Sequence, residues 1–331
     1  HYLAYQKVDG VQLAAVSEPN EKRLKGDWRD IKGNFGPPGE MVDLSSVAQY
    51  ADYHDMLADP NVDLVDICLP PSMHAEATVA AFAAGKHVFC EKPMALTTAD
   101  CDAMVTAGQQ AGRQLLIGHV LPFFPEYAQA VKMINSGQYG KLLGGTFKRV
   151  ISDPLWLPDF YDPLRVGGPL IDLHIHDAHL IRMLFGMPKS VAAHGRTRNG
   201  VVDYCNTVFQ FEDPSLVVFA TSGVINQQGR AFTHGFEIHL EKATMHYEFA
   251  GFADEAELMP LKILTDDGQV VRPDVGGGDP TDSFQDEVRE VVRCVEANEP
   301  SKVLAGDLAR DAIVLCHKQS ESVLEGRTVE I

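Results

Sequence analysis

Short apolar runs alternate with helical stretches over residues 1–119 of this chain. The runs Leu64–Leu69 and His87–Cys90, for example, flank the helical stretch His74–Ala84, which ends at Gly85. Strands separated by helices in this way form βαβ units, and such units build a parallel sheet. The pattern therefore predicts an α/β domain with a doubly wound parallel sheet in the first third of the chain.

The other elements of this domain follow from the same periodicity. The predicted strands are Val11–Val16, Val47–Tyr50, Leu64–Leu69, His87–Cys90 and Gln114–Gly118. The predicted helices are a helix tail at His1–Val8, then Tyr53–Ala58, His74–Ala84 and Thr98–Ala111. A Gly- and Pro-rich insertion at residues 26–46 interrupts the alternation, and we expect Trp28, Ile31 and Phe35 to anchor it by burial.

After Pro125 most strands follow one another without an intervening helix. The predicted strands are Gly144–Val150, Ser190–Arg198, Tyr204–Phe211, Leu216–Val224, Phe236–Leu240, Ala243–Tyr247, Lys262–Thr265 and Val270–Arg272. The predicted helices are Glu126–Ser136, Pro169–Phe185, Asp282–Ala297 and Gly306–Leu324. Sequential strands joined by short turns favour an antiparallel sheet. The sequence thus predicts an α/β domain (residues 1–119) followed by an α+β domain (residues 120–331) with an open, mostly antiparallel sheet.

The charge balance excludes two classes of partner. The 331 residues include 28 Lys and Arg against 46 Asp and Glu, a formal net charge of −18. This excess of carboxylates repels nucleic-acid phosphates and anionic lipid, so we expect neither nucleic acid nor a membrane surface as a partner. No apolar run approaches the ~18 residues that a membrane span requires.

Six cysteines are scattered singly, with no CxxC pair. This distribution is typical of reduced, buried thiols rather than of a disulfide framework. Cys68 and Cys90 lie within apolar runs, so we expect both in the core. Cytoplasm is the default location that follows from this pattern.

Residues at the ends of predicted strands indicate a dinucleotide site, because ligands of such sheets bind beyond the carboxyl ends of the strands. Glu18 follows the strand that ends at Val16, where a carboxylate binds the two hydroxyls of an adenosine ribose. Its charge would repel a 2′-phosphate, which favours NAD over NADP. An ordinary surface glutamate is the alternative interpretation of Glu18.

Two further strand ends carry candidate cofactor contacts. Leu69 and Pro70 open a stiff turn that leads to His74, which either caps the next helix or faces the cofactor. Glu91 and Lys92 follow the next strand, and the proline after them favours extended geometry at Lys92. An ordinary solvated ion pair is the alternative for these two residues.

The glycine-rich loop of a dinucleotide-binding domain is absent, since no G-x-G-x-x-G occurs in the sequence. Such a domain opens with a strand and this loop. We therefore expect roughly fifteen residues, a strand and the loop, to precede His1 in the natural protein.

Four segments carry a family resemblance. They are Ala84–Pro93 (AGKHVFCEKP), Val62–His74 (VDLVDICLPPSMH), Gly167–Asp177 (GGPLIDLHIHD) and the tail Gly326–Val329 (GRTV). They resemble the AGKHV-x-x-EKP, TP-x-x-x-H, GG-x-x-x-D-x-x-x-H and G-x-x-V elements of the glucose–fructose oxidoreductase/inositol dehydrogenase/rhizopine catabolism (Gfo/Idh/MocA) family. The resemblance spans nearly the whole chain.

The resemblance implies a fold, a reaction and an assembly. It implies an N-terminal Rossmann domain and a C-terminal α+β domain whose sheet holds substrate on one side and a second subunit on the other, in a homodimer or homotetramer. It also implies hydride transfer between NAD(P) and a sugar, a polyol or one of their acid derivatives.

The same resemblance assigns three catalytic residues. It implies that Lys92 bonds the reacting hydroxyl, that His176 is the acid/base and that Asp172 orients the substrate. The chemistry agrees, because an imidazole that titrates near neutrality suits the alcohol proton and an ammonium stabilises the alkoxide. On a helix that begins at Pro169, Asp172 and His176 are four residues apart and share one face.

Two departures from the family pattern concern the site. Pro122 stands where many members have Arg, which puts one substrate or cofactor contact in doubt. His174 and His179 add imidazoles to the active-site helix, with His174 on a different face from His176. His119 and His179 are further candidate substrate contacts.

The irregular segment before Pro169 supplies the last candidates. Trp156 and Arg165, with Phe160 and Tyr161, are candidates for lining a sugar pocket, because aromatic faces stack on sugar rings. Packing at the domain interface is the equal alternative for this segment.

Three other functions stay open. The first is an NAD-dependent glycoside hydrolase or epimerase on the same scaffold, and the second is an NAD-binding sensor without turnover. The third is a metal-dependent hydrolase that uses His174 and His176. On a helix these two side chains diverge by about 200°, so we predict no metal site.

Overall fold

The computed structural model of the chain describes residues 1–31, 37–157, 159–276, 279 and 281–331. Phe35, one of the three expected anchors of the insertion, lies outside the described residues. None of the helices in the described part is long and apolar enough to cross a membrane.

The first domain alternates strands and helices as predicted. Its elements are α1 (Tyr2–Tyr5), β1 (Ala15–Ser17), α2 (Glu21–Leu24), β2 (Ala48–Tyr50), α3 (Tyr53–Leu57), β3 (Leu64–Ile67), α4 (His74–Ala83), β4 (His87–Glu91), α5 (Thr98–Ala111) and β5 (Leu115–Gly118). All strand pairs are parallel, but the strands form two groups, β1–β2 and β3–β4–β5. The domain is a Rossmann fold, which confirms the predicted class.

Local signals set the ends of α5. The Thr97 hydroxyl accepts a hydrogen bond from the backbone N–H of Asp100, which caps the first turn. At the other end, Gly112 adopts the left-handed conformation that glycine reaches without strain. The predicted bounds of this helix are confirmed.

The second domain carries most of its strands in one sheet. Its elements are α6 (Pro125–Ser136), β6 (Leu142–Ser152), a π-helical turn (Leu170–His174), α7 (Ile175–Phe185), β7 (Ser190–Arg198), β8 (Val201–Gln210), β9 (Val217–Ile225), β10 (Arg230–Leu240), β11 (Ala243–Phe252), β12 (Ala256–Thr265), β13 (Val270–Val271), α8 (Asp282–Ala297), α9 (Gly306–Glu325) and β14 (Val329–Glu330). The strand order is β13-β12-β11-β10-β6-β9-β8-β7-β14, and β6–β9 is the one parallel pair among these nine strands. This confirms the open, mostly antiparallel sheet.

Two central strands are longer than predicted. β10 begins at Arg230 instead of Phe236, and β11 continues to Phe252 instead of Tyr247. The two strands pair along this whole length, and β10 also pairs with β6. The apolar alternation misses the added residues because the buried positions there include the polar Thr233 and His234, whereas the backbone ladder continues through them.

The last long helix belongs to the core of the first domain as well as to the second. Ala309, Ile313 and Cys316 of α9 are buried in one cluster with Cys101 and Ile117. Leu304, just before α9, accepts a hydrogen bond from the N–H of Ile117 in β5. The predicted boundary after residue 119 therefore describes the order of the chain, while the packed cores cross it.

One of the two cysteine expectations is wrong. Cys90 is buried as predicted, but Cys68 is exposed. The reason is that β3 ends at Ile67, so Cys68 lies beyond the strand at the carboxyl edge of the sheet. The other four cysteines are buried and all six are free thiols, as predicted.

The insertion is anchored by Trp28, whose ring meets that of Tyr2 edge-on at 5.0 Å. The indole N–H also donates to the carbonyl of Arg23. Ile31, the second expected anchor, is exposed, so its predicted burial is wrong. The bridge between Asp27 and Met41 closes the insertion through backbone pairing instead.

Candidate active site

Candidate residues follow the carboxyl ends of four parallel strands. Glu18 follows β1, Pro70 follows β3, Lys92 follows β4 and His119 follows β5. Pro70, Lys92 and His119 follow strands of one parallel group and share its carboxyl edge, whereas Glu18 follows β1 in the other group. Dinucleotides bind at such edges in folds of this kind, and the predicted cofactor contacts of these residues stay predictions.

Lys92 and Asp172 are in direct contact, although 80 residues separate them. The Lys92 ammonium donates to the Asp172 carbonyl oxygen at 2.7 Å and to its Oδ1 at 3.1 Å. The Lys92 side chain is 21% exposed, so a ligand at the carboxyl edge of the sheet can reach it. On the other side, Oε2 of Glu91 accepts from the backbone N–H of Lys92 at 2.9 Å.

Two consecutive glycines begin the active-site helix. Gly167 and Gly168 have φ angles of +85° and +80°, which other residues rarely adopt. A Cβ on Gly167 would lie 2.8 Å from Cβ of Ile171, and one on Gly168 would lie 2.7 Å from Val201. The backbone can enter the helix here only without side chains, which explains the GG of the motif.

The first turn of this helix is π-helical rather than α-helical. Leu170–His174 forms the π turn and the α-helix begins at Ile175, so the prediction of one α-helix over Pro169–Phe185 is wrong in its first part. π turns insert one extra residue per turn and occur frequently at functional sites. Asp172 lies within this turn, where its backbone carbonyl accepts a hydrogen bond from the Lys92 ammonium.

His176 lies next to this contact. Its ring is half-buried, and its Nδ1 is buried without a hydrogen-bond partner in the described part of the chain. Burial and, after it, the nearby charge of Lys92 hold the pKa of His176 well below 6.5. A neutral ring is the form that accepts a proton.

Two further imidazoles stack behind His176. The ring centroids of His119 and His179 lie 3.9 Å apart with an angle of 5° between the ring planes. The ring centroids of His119 and His176 lie 6.2 Å apart, and their planes are at 89° to each other. Their exposures are 1% and 0%, so neither presents a surface to a substrate in this structure. Burial lowers the pKa of both. Their predicted substrate contact stays a prediction, and their packing favours a role through His176.

His174 faces another part of the domain. Its Nδ1 lies 4.0 Å from Oδ2 of Asp177. The Asp177 carboxylate in turn accepts two hydrogen bonds from Arg149, from Nε to Oδ2 at 2.7 Å and from Nη2 to Oδ1 at 3.0 Å. Burial lowers the pKa of His174 to about 4. His174 and His176 diverge as the sequence predicted, because one lies beside Asp177 and the other beside Lys92.

The described residues place neither His174 nor His176 in a group of metal-ligating atoms. The group of three such side chains that does occur is His1, Asp66 and Cys68, with ligand atoms within 4.8 Å of one another. Here Nδ1 of His1 already lies 2.9 Å from Oδ2 of Asp66, and its Nε2 lies 3.0 Å from Oε1 of Glu91. Burial is the largest influence and lowers the pKa of His1, but the combined interactions with Asp66, Cys68 and Glu91 outweigh it and raise that pKa.

The side chain of His74 lies under the turns of the cofactor edge. It is buried, with Nε2 2.7 Å from the carbonyl oxygen of Leu69 and Nδ1 2.9 Å from that of Pro93. It therefore ties the turn after β3 to the turn after β4. Of the two alternatives raised by the sequence, neither helix capping nor a surface toward the cofactor is seen for this side chain.

The environment of Glu18 fits a ribose better than a phosphate. Its Oε1 accepts from the backbone N–H of Asn20 at 2.8 Å, and the side chain is half-buried. The guanidinium of Arg23, which lies near Glu18, is paired with Asp30. A carboxylate beside a neutralised cation suits ribose hydroxyls, so this environment fits NAD.

The irregular segment gives a mixed result. Trp156 is 71% exposed and Arg165 is exposed in an ion pair with Asp159, so both lie at the surface rather than in a closed pocket. Phe160 is buried, and the Tyr161 hydroxyl donates to Asp153 at 2.9 Å. The predicted substrate contacts of Trp156 and Arg165 stay predictions.

Sequence reasoning missed the buried pair of Arg149 and Asp177. Asp177 follows His176 directly, and its pairing with an arginine on β6 ties the helix to the sheet. A charged residue at an inward position of a strand is the signal that identifies Arg149, because buried charges are paired.

Two family profiles match the chain. An oxidoreductase family with an NAD-binding Rossmann fold matches residues 1–119, and the Gfo/Idh/MocA C-terminal domain matches residues 127–246. The chain is 28% identical to a myo-inositol 2-dehydrogenase of Thermotoga maritima over 100% of this chain and 94% of that protein. It is 31% identical to a 1,5-anhydro-D-fructose reductase of Ensifer adhaerens over 56% of each.

Solved structures share the fold over the whole chain. Aldose-aldose oxidoreductase from Caulobacter crescentus, complexed with glycerol, has a TM-score of 0.80 at 22% identity and covers 99% of this chain and 94% of its own. Levoglucosan dehydrogenase in complex with NADH and levoglucosan has a TM-score of 0.80 at 20% identity, over 100% and 95%. Profiles, relatives and fold agree: the chain belongs to the Gfo/Idh/MocA family of oxidoreductases, with an NAD-binding Rossmann domain at its start.

Proposed function

We propose that this protein is an NAD-dependent dehydrogenase that transfers hydride between nicotinamide and a carbon bearing a hydroxyl group in a polyol or sugar. The observation that carries the proposal is the convergence of Lys92, Asp172 and His176 at the carboxyl edge of the Rossmann sheet. An ammonium, a carboxylate and a neutral imidazole are the groups that such a reaction uses.

Each residue has a distinct task in this proposal. Lys92 binds the reacting oxygen and stabilises the negative charge that develops on it. His176 takes the hydroxyl proton during oxidation and returns it during reduction, as its low pKa favours the neutral ring. Asp172 holds Lys92 through two oxygens and leaves the ammonium one direction for the substrate.

Residues at three strand ends hold the dinucleotide in this proposal. Glu18 accepts from the ribose hydroxyls, and the turns at Leu69–Pro70 and Glu91–Lys92 support the remainder. Nicotinamide, when bound, accepts or donates the hydride. The chain's own part is to bind, to orient the substrate carbon and to move one proton at the substrate oxygen.

The names of the relatives narrow the substrates to test. They act on inositol and on 1,5-anhydro-D-fructose, and one structural neighbour was crystallised with levoglucosan. All three are uncharged polyhydroxylated rings. We propose the same class for this chain, with sugar acids as the comparison.

The experiment follows nicotinamide absorbance with the full-length protein, NAD or NADP, and a panel of inositols, sugars, anhydro sugars and sugar acids. We expect turnover with NAD on at least one uncharged ring. No turnover with any substrate, together with an unchanged melting temperature on adding NAD or NADH, would contradict the proposal.

We infer that the protein forms a homodimer or homotetramer through the outer face of its nine-stranded sheet. Val217 and Phe219 are exposed large apolar residues on β9 that alternate with the buried Val218 and Ala220, so both lie on the outer face. Light scattering after size exclusion tests the assembly. Phe219→Glu is expected to shift it toward monomer, while Glu76→Lys, an exposed change on α4 of the first domain, is expected to leave it unchanged.

We also propose that the protein is located in the cytoplasm. It is supported by six cysteines that are all free thiols, five of them buried. Fractionation of cells that produce the full-length protein tests it, and recovery from a membrane or extracellular fraction would contradict it.

A further inference from the structure

Three imidazole rings, rather than one, form the interior side of the candidate site. His176 comes from α7, His179 lies one turn later on the same helix and His119 follows β5 in the other domain. His119 is in contact with both, face to face with His179 and perpendicular to His176. Its ring thus contacts two rings that lie one turn apart on the helix.

Hydrogen bonding does not hold this cluster together. Both ring nitrogens of His119 are buried without a partner in the described part of the chain, and so is Nδ1 of His176, while His179 interacts with the backbone of Val303. A buried polar atom without a partner destabilises the fold. Ring packing is therefore the interaction that joins the three side chains, and it orients the ring of His119.

The charges around the cluster disfavour a proton on it. Lys92 and Arg149 are the two cationic side chains that act on His176. Arg149 approaches from the sheet, and its own charge is paired with Asp177. His119 and His179 are themselves neutral rings, because burial lowers the pKa of each. Asp172, the carboxylate of the candidate site, is bound to Lys92.

We propose that His119, stacked on His179, is a positioning residue for the hydride-transfer reaction: its ring holds His176 in the orientation that accepts the substrate proton and keeps water away from the buried side of His176. The inference rests on the proposed function. It gives His119 a task that needs a flat aromatic ring and no contact with substrate.

This role makes a specific demand on substitutions. Phenylalanine preserves the flat ring at position 119 and removes two unpartnered nitrogens, whereas alanine leaves a cavity beside His176 that water can enter. Water would solvate the charged form of His176 and raise its pKa. A role in passing protons would make the opposite demand, because phenylalanine cannot carry a proton.

The experiment compares His119→Phe and His119→Ala in the full-length protein, by the pH dependence of kcat and KM in the oxidising direction. We expect His119→Ala to lower kcat about 10- to 100-fold, with a smaller effect on KM, since a misplaced base loses rate. The acid limb of its profile of kcat against pH should move to higher pH, because the pKa of His176 rises. We expect His119→Phe to keep kcat within about threefold, with the acid limb unmoved.

Two outcomes would overturn the inference. One is a His119→Phe variant as slow as His119→Ala, which would assign the function to the imidazole nitrogens. The other is a His119→Ala variant with unchanged kcat and pH profile. His174→Gln is the matched control, because His174 is equally buried but faces Asp177, and we expect its acid limb to match that of the wild type.

A second measurement separates this inference from the proposed function. NMR of isotope-labelled histidine gives the titration of His176 without any turnover. Wild type with no activity on any substrate would reject the proposed function, whereas the inference fails if the His176 titration is the same in wild type and His119→Ala. Thermal unfolding of both variants shows whether the fold is kept.

Discussion

The ammonium of Lys92 is bound by the main chain of Asp172 as well as by its side chain. The carbonyl oxygen is the nearer of the two, at 2.7 Å against 3.1 Å for Oδ1. A main-chain acceptor cannot be removed by a substitution at position 172. The position of Lys92 thus depends on the π-helical turn as much as on the carboxylate.

Removing the ammonium should abolish most of the activity. We expect Lys92→Ala to lower kcat/KM by about 10²- to 10³-fold, because a charge-stabilising donor at the reacting oxygen contributes on this scale. Steady-state kinetics measures the effect. Lys132→Ala, an exposed lysine on α6, is the control and should match the wild type. Equal activities for both variants would remove Lys92 from the mechanism.

Removing the carboxylate should be milder. We expect Asp172→Ala to lower kcat by about tenfold, since Lys92 keeps its bond to the carbonyl oxygen, and Asp172→Asn to lower it less because an oxygen acceptor remains. Activity should therefore decrease in the order Asp172→Asn, Asp172→Ala and Lys92→Ala. If Asp172→Ala were as slow as Lys92→Ala, the carbonyl contact would not position the ammonium.

The cofactor preference should depend on Glu18. We expect Glu18→Ser to reduce the preference for NAD over NADP at least about tenfold, because it removes the charge that opposes a 2′-phosphate. The ratio of kcat/KM for the two cofactors gives the preference. Glu21→Ser is the matched control, an exposed glutamate on α2 that pairs with Lys25. A ratio that changes equally in both variants would assign the effect to net charge alone.

The buried pair of Arg149 and Asp177 should stabilise the second domain. We expect Arg149→Met to lower the free energy of unfolding by roughly 3–5 kcal/mol, because it leaves the Asp177 carboxylate buried and unpaired. Urea unfolding measures the change. Arg289→Met removes an exposed arginine that pairs with Asp286, and little change is expected. A small effect at position 149 would show that water reaches Asp177.

The buried histidines should make the fold sensitive to acid. Burial lowers the pKa of His174 and of His179 to about 4, below the ordinary 6.5. As the pH falls from 6.5 to about 4, the unfolded chain takes up protons that the folded chain does not, so the free energy of unfolding decreases. Each histidine contributes up to ~1.4 kcal/mol per pH unit.

Unfolding midpoints across this pH range test the contribution. We expect His174→Gln to reduce the dependence on pH, because glutamine does not titrate. His194→Gln is the control, since His194 is exposed on β7. Equal slopes for His174→Gln and wild type would mean that His174 titrates alike in both states.

The sequence predicted the elements of the site better than their local geometry. The family resemblance grouped Asp172 and His176 with Lys92, and the i, i+4 spacing put the two residues on one face of an α-helix where the chain instead begins with a π turn. The extra residue in that turn has no signature in the apolar period, since Leu170, Ile171 and Leu173 are all buried. Only the two glycines before it mark an unusual entry.

Contacts between distant segments were the other limit. The stack of His119 on His179 joins residues from two domains, and nothing in either segment alone identifies its partner. The same holds for α9, whose apolar face was evident from its period but whose position in the core of the first domain was not. Such pairings follow from the tertiary fold, which local periodicity does not encode.

The position of α9 also limits how the two domains can move relative to each other. The helix packs in the Rossmann core through Ala309 and Ile313, and its Gln319 accepts a hydrogen bond from Thr207 of the large sheet. A hinge rotation of one domain against the other would have to break one of these two buried contacts. We therefore expect the two domains to move as one body when substrate and nucleotide enter or leave.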